Sequence, residues 1–195
     1  MASRRELLKA GLAVSALPFA ASARLAGAGL ATAAVPLYKV LYDTRFEASV
    51  AFAERAAARR LALLPIDGDV TRVWYHDLYH RWVQGPAAIA GLTAHGALFC
   101  LERLAWDHRL RVVYRGEHSA AAGGVVHRFD GPASTLSRAL AAADRSWCAA
   151  LADVVAEWPS ERTQRCTSML VTKHAGGPAA AEPLFSWVIA PVVRT

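Results

Sequence analysis

The sequence predicts an α/β fold. The expected form is a three-layer, Rossmann-like domain with a mostly parallel sheet and an antiparallel edge built by the C-terminal strands. Three observations carry this. Residues 38–118 alternate short apolar runs with amphipathic stretches of helical period, as strands joined by crossover helices do. The runs are apolar almost throughout rather than at every second position, which fits strands covered on both faces. The alternation then stops, and two later runs separated by a flexible loop read as an antiparallel pair.

Tyr38 to Tyr42 forms the first strand and ends at Asp43-Thr44-Arg45. A helix follows from Phe46 to Arg60, with Phe46, Val50, Ala53 and Ala57 on one stripe. Leu61–Ile66 is the second strand, stopped by Asp67-Gly68. Asp69 caps a helix running through Trp82, whose apolar face is Val70, Val73, Trp74, Leu78 and Trp82. Pro86 opens the third strand, Ala87 to Leu92. Thr93 is placed to cap a helix from Ala94 to His108 that buries Leu98, Leu101, Leu104 and Ala105. Leu110–Arg115 is the fourth strand and ends at Gly116-Glu117-His118. The crossovers are expected to be right-handed. Beyond them, Gly123–Phe129 is a short strand. Pro132–Trp158 is helical, with Leu136, Leu140, Trp147, Leu151 and Val154 or Val155 inward, and Pro159 ends it. Thr167–Thr172 and Leu184–Ile189 are the edge strands, with a loop starting at His174.

The first 33 residues have a different character: a basic start, a weakly apolar middle rich in Ala and Gly, and small residues before Pro36. Ser3-Arg4-Arg5-Glu6-Leu7-Leu8-Lys9 resembles the twin-arginine (Tat) export motif S-R-R-x-F-L-K, with Leu7 in place of Phe. Arg24, late in the segment, disfavours the ordinary secretory route. Cleavage has two small-x-small options, Ala21-Ser22-Ala23 and Ala31-Thr32-Ala33. The second keeps Arg24 inside the leader and leaves 34–195 as a single domain. The run from Ala10 to Ala23 is shorter than the roughly 20 residues of a span, so no stable membrane span is expected after cleavage. An uncleaved anchor is the other reading. The resemblance implies passage through the Tat translocase in folded form and a periplasmic or secreted location. It further implies partnership with a larger exported redox enzyme. It leaves the cofactor, if any, unknown.

Charge and cysteine content narrow the classes. The leader holds half of the net charge of +6, so the remaining chain is only mildly basic, and nucleic acid is not an expected partner. The three cysteines, Cys100, Cys148 and Cys166, include no C-x-x-C pair and allow at most one disulfide. Cys100 and Cys148 lie in helical patterns and are expected to be small buried hydrophobes. There is no G-x-S-x-G elbow, and Gly91-Leu92-Thr93-Ala94-His95-Gly96 has neither phosphate-loop nor dinucleotide spacing. Ser168 and His174 are near in sequence, with no acid to complete a triad.

Two places remain as candidate sites. Residues 74–82, WYHDLYHRW, put His76 and His80 one turn apart with Asp77 after the first. This is close to the H-E-x-x-H helix of zinc hydrolases. Asp is one methylene shorter than Glu and no third ligand stands at a recognisable spacing, so the histidines read first as a solvated or partner-facing surface. Tyr75 and Tyr79 are left over from the apolar face and are available to a partner. The second place is the row of strand ends. With strand order 2-1-3-4, the reversal falls between the first and third strands, where open α/β sheets bind ligands. There Arg45, Thr93 and His95 are the candidate ligand-binding residues, for an anion or an oxygen-rich group. Asp43, Glu117 and His118 are the candidate catalytic residues, with His118 as acid or base and Asp43 or Glu117 orienting it. The bland alternative makes Asp43 and Thr93 helix caps and Arg45 a surface charge. The function expected from the whole is that of an exported accessory or ligand-binding protein. The alternatives are a small enzyme working at the strand ends and a metal-binding protein using His76 and His80.

Overall fold

In a computed structural model the described residues are 36–131, 133–143, 146–157, 170–174 and 180–191. The leader, Cys166, Ser168, Trp158, Pro159 and the start of the loop after His174 lie outside them. The elements follow the order β1 (Leu37–Asp43), α1 (Glu47–Ala58), β2 (Leu63–Ile66), α2 (Thr71–Val73), a π-helical turn (Trp74–Leu78), α3 (Tyr79–Gln84), β3 (Ala88–Ala94) and α4 (His95–Asp107). Then come β4 (Leu110–Ala121), β5 (Gly124–Asp130), α5 (Ala133–Ala143), α6 (Trp147–Ala156), β6 (Leu170–His174) and β7 (Leu184–Pro191).

The described strands form one mixed sheet in the order β2-β1-β3-β7-β4-β5-β6. The β2-β1-β3 end is parallel, as the alternation predicts. Every other pairing is antiparallel. Two expectations are corrected here. The sheet is parallel only at one end, and β7 is a central strand rather than the partner of β6 at an edge. The reason lies in β7 itself. Ser186 to Ala190 are all buried, and a run covered on both faces needs hydrogen-bonded neighbours on both sides. It finds them in β3 and β4, and so prevents β4 from pairing with β3.

The helices divide between the two faces. On one, Phe52 of α1, Leu136 of α5 and Trp147, Leu151 and Val155 of α6 pack with Val40, Leu92, Tyr114, Phe129, Leu184 and Val188 of the sheet. On the other, Val73, Leu78, Trp82, Leu98 and Leu101 pack with Leu41, Ile89, Trp187 and Ile189. A buried residue of the size of Phe52 or Leu98 contributes roughly 1.5–3 kcal/mol over its exposed state. Gly91 lets the central strands carry Trp187: a Cβ there would lie 2.6 Å from both the Leu41 carbonyl oxygen and Trp187 Cζ2.

Locally the sequence reading needs several corrections. The inward stripe of α1 is Ala48, Ser49, Phe52, Ala53 and Ala56, rotated from the expected one because Phe52, the bulkiest apolar residue of α1 itself, takes the sheet-facing position. Thr93 is a buried strand residue and Ala94 holds the N-cap position of α4. Cys100 is exposed, off the buried stripe of Ala97, Leu98, Leu101 and Ala105, while Cys148 is buried as expected. The fourth strand runs on to Ala121 and forms a hairpin with β5. The N-cap position of α2 is Val70, not Asp69, although Asp69 Oδ1 accepts from the Thr71 amide at 2.9 Å and the Thr71 hydroxyl at 2.7 Å just before it.

Candidate functional site

At the carboxyl ends of β1 and β3, Asp43 is fully buried and Arg45 closes on it. Arg45 Nε donates to Oδ1 at 2.9 Å and Nη2 to Oδ2 at 2.7 Å, a bidentate pair. The carboxylate holds the Arg45 pKa up. The guanidinium also lies where a side chain on Gly68 would be: a Cβ there would come within 2.4 Å of Arg45 Cζ. Gly68 has φ +95°, a conformation glycine adopts freely. Ser49 completes the corner. It accepts from the Asp43 amide at 2.8 Å and donates to the Leu92 carbonyl, tying α1 to β1 and β3. Thr93 accepts from Trp187 Nε1 at 3.0 Å and donates to the Ala94 carbonyl at 3.2 Å. His95 is exposed at the start of α4, against Phe99 and Phe185.

Thr93, Phe185 and Glu117 share one row of the sheet, with Glu117 inside β4 and not at its end. The candidate catalytic set, however, is split by the pleat. Glu117 bonds Arg128 at 2.9 Å and Ser119 at 3.1 Å on the face that carries α4, where Arg115 meets Glu102 of that helix. His118, the next residue, points to the opposite face, as alternate strand side chains must. Neither Asp43 nor Glu117 orients it. The group that does is His127, its register partner on β5, with the two Nδ1 atoms 2.7 Å apart.

His118 belongs to a buried chain. Its Nε2 stands 2.8 Å from Ser186 Oγ, which is 3.0 Å from the Tyr114 hydroxyl. Tyr114, Ser186, His118 and His127 come from β4, β7, β4 and β5 and are all buried. The imidazoles pack on Trp147 of α6, at ring-centre distances of 4.8 and 5.2 Å, and on Phe129. Burial, with His127 adding to it, holds the His118 pKa well below the usual imidazole range, and burial pushes the Tyr114 pKa up. With His118 neutral, the Nδ1–Nδ1 contact needs a proton on one side only. Either His118 donates to His127 and accepts from Ser186, or His127 donates to His118, which then donates to Ser186. The spacing is that of a nucleophile, a base and an orienting group. Ser186 has no exposed surface, so the chain shares protons inside the sheet–helix interface.

The sequence reading missed His127, Ser186 and Tyr114. A signal for His127 was present. A hairpin turning at Ala122-Gly123, with Gly123 at φ +76°, pairs Ala121 with Gly124 and hence His118 with His127. Ending the fourth strand at Arg115 hid it. Ser186 had no such signal, because it depends on where β7 inserts.

In residues 74–82, the helix passes through the π-helical turn, with Leu78 and Trp82 buried and Trp74 half-buried. His76 and His80 are both exposed. Asp77 is engaged elsewhere: it accepts from the Tyr38 hydroxyl at 2.8 Å and pairs with Lys39, anchoring the helix to β1. No group of three His, Cys, Asp or Glu is placed to hold a metal among the described residues. Compared with known proteins, the chain matches no family model, no curated protein and no solved structure.

Proposed function

We propose that this chain is an exported accessory protein whose working surface is the outer face of the helical layer formed by α2, α3 and α4. The observation that carries the reading is the exposure of Tyr75, Tyr79 and Val83 on one helix and of Phe99 and Trp106 on the next. Tyr75 and Val83 are more than 60% exposed, and these residues recur at helical spacing on the side turned away from the sheet. Adjacent aromatic side chains left in water mark a contact surface. His108 links the two helices by ring contacts with Trp74, Tyr79 and Trp82. The twin-arginine-like leader supports export by the Tat translocase to the periplasm or beyond, with a larger exported redox enzyme as the partner. The parallel β2-β1-β3 end and the helices on both faces support reading the domain as a three-layer, Rossmann-like scaffold. The buried Asp43–Arg45 pair supports a structural role for the strand-end corner.

Native mass spectrometry on protein purified gently from the exported fraction of its own host tests the proposal. The expected mass is this chain plus a larger protein. A lone chain carrying a small-molecule or metal adduct would overturn it and direct attention to the strand ends or to His76 and His80.

A further inference from the structure

The partner-facing layer has a chemical bias, and its centre is Trp106. The Arg103 guanidinium stacks over the indole at 4.0 Å from the ring centre, and Arg111 approaches the ring at 5.6 Å. Arg109, next to them, is the residue after the α4 C-cap and is held at φ +61°. All three arginines are exposed, and among the described residues none of them forms an ion pair. The acids nearby are spent or isolated. Glu102 is bonded to Arg115 at 2.7 Å, and Asp107 stands exposed. Trp106 itself is 42% exposed, and Phe99 lies two turns before it on the same stripe. Tyr79 continues the patch through His108.

From this arrangement we infer that the α2–α4 layer docks a carboxylate-rich surface of a partner protein, with Trp106, Arg103 and Arg111 at its centre; this rests on the accessory reading above. The Arg103 guanidinium, stacked on the indole, loses rotational freedom and keeps its N–H edges free, whereas Arg111 Nη1 donates to the Leu110 carbonyl at 2.7 Å and leaves its other N–H groups for a partner. That planar fork matches the two oxygens of a carboxylate. Trp, Tyr and Arg together are the residue types that dominate protein–protein contact energies. An anionic lipid surface fits less well. A continuous sheet of phosphates would lie against Asp107 as well as against the arginines, whereas a partner places its carboxylates singly and leaves Asp107 in water.

The test uses the full chain and fluorescently labelled poly-L-glutamate, followed by anisotropy. Binding is expected to be saturable and weakened by salt. It should fall at least about tenfold in Arg103→Ala/Arg111→Ala and in Trp106→Ala, with the melting temperature held. Arg60→Ala/Arg138→Ala removes the same charge from elements of the opposite helical layer and should cost less than about twofold. Equal losses in the two double variants overturn the inference, because binding would then follow net charge alone. Arginine-dependent binding to phosphatidylglycerol vesicles without binding to poly-L-glutamate also overturns it and assigns the patch to membrane. The accessory reading fails separately. A native complex that survives Arg103→Ala/Arg111→Ala leaves that reading standing and overturns this surface, whereas the absence of any complex overturns the accessory reading itself.

Discussion

Mild acid should unfold this protein through the His118–His127 contact. Two imidazoles whose Nδ1 atoms are 2.7 Å apart share one proton in their contact, and an added proton would make one of them a cation away from water. Around them the packed elements supply Tyr114 and Ser186 from the sheet, Trp147 and Cys148 from α6, and Thr172 of β6 as the register partner of His127. Among the described residues, none of these groups around His118 is a carboxylate. The His118 pKa is depressed in the folded state, first by burial and then by His127. In the unfolded chain a histidine takes up its proton near pH 6.5. The stabilisation is therefore fully present above about pH 6.5, and it is lost as the pH falls from there toward the depressed folded value. For one proton taken up on unfolding, the folding constant drops about tenfold per pH unit in that window. Urea unfolding followed by tryptophan fluorescence at about pH 7.5, 6.5 and 5.5 measures this. In His118→Gln the side-chain amide can still reach Ser186, but the titrating group is gone. The variant should be about 1–3 kcal/mol less stable near neutral pH, from the altered buried hydrogen bonding. Its unfolding constant should respond to pH about tenfold per unit less than that of the parent. Parallel pH profiles for the two proteins would refute the reasoning.

The Asp43–Arg45 pair should respond asymmetrically. Arg45→Ala leaves a fully buried carboxylate without its partner and should lower the melting temperature more than Asp43→Asn, which leaves a half-exposed guanidinium that turns into water. Equal losses would show that the corner is held by packing alone. Arg60 and Arg109 sit at φ +60° and +61° just past α1 and α4. After α1, the Leu61 amide bonds the Ala56 carbonyl at 3.1 Å and the Arg60 amide that of Ala57 at 2.8 Å, a terminus that favours glycine at position 60. Arg60→Gly and Arg109→Gly should each stabilise by about 0.5–1 kcal/mol in chemical denaturation, and a loss at either site would reveal a contact made by the arginine. Thiol labelling of the native protein, resolved by peptide mass spectrometry, should modify Cys100 and spare Cys148. Cys148 is buried and its pKa is pushed up to about 12; its labelling at the rate of Cys100 would mean that α6 opens readily.

Much of the local grammar can be read along the chain. Several elements stop where punctuation says, because such signals depend on neighbours within a few residues: Asp69 bonds the Thr71 amide two positions on, and Asp67-Gly68 ends β2, whereas β4 runs on past its expected end and the helix expected over Pro132–Trp158 is divided into α5 and α6. Alternation also foretold the parallel β2-β1-β3 end, since each crossover helix brings the chain back to the same end of the sheet. The place of β7 is set by long-range pairing. Leu184–Ile189 reads equally well as an edge or a central strand, and only its pairing with β3 and β4 buries both of its faces. That choice brings Ser186 within reach of His118 and Tyr114, residues 68 and 72 positions away in sequence. The pleat made the other decision. Glu117 and His118 are neighbours in the chain, yet a strand turns them to opposite faces, so one joins Arg128 at the surface and the other the buried histidine pair. A site made of side chains from three strands is fixed by strand order and by the parity of each strand's register. Neither is a property of any short stretch of sequence.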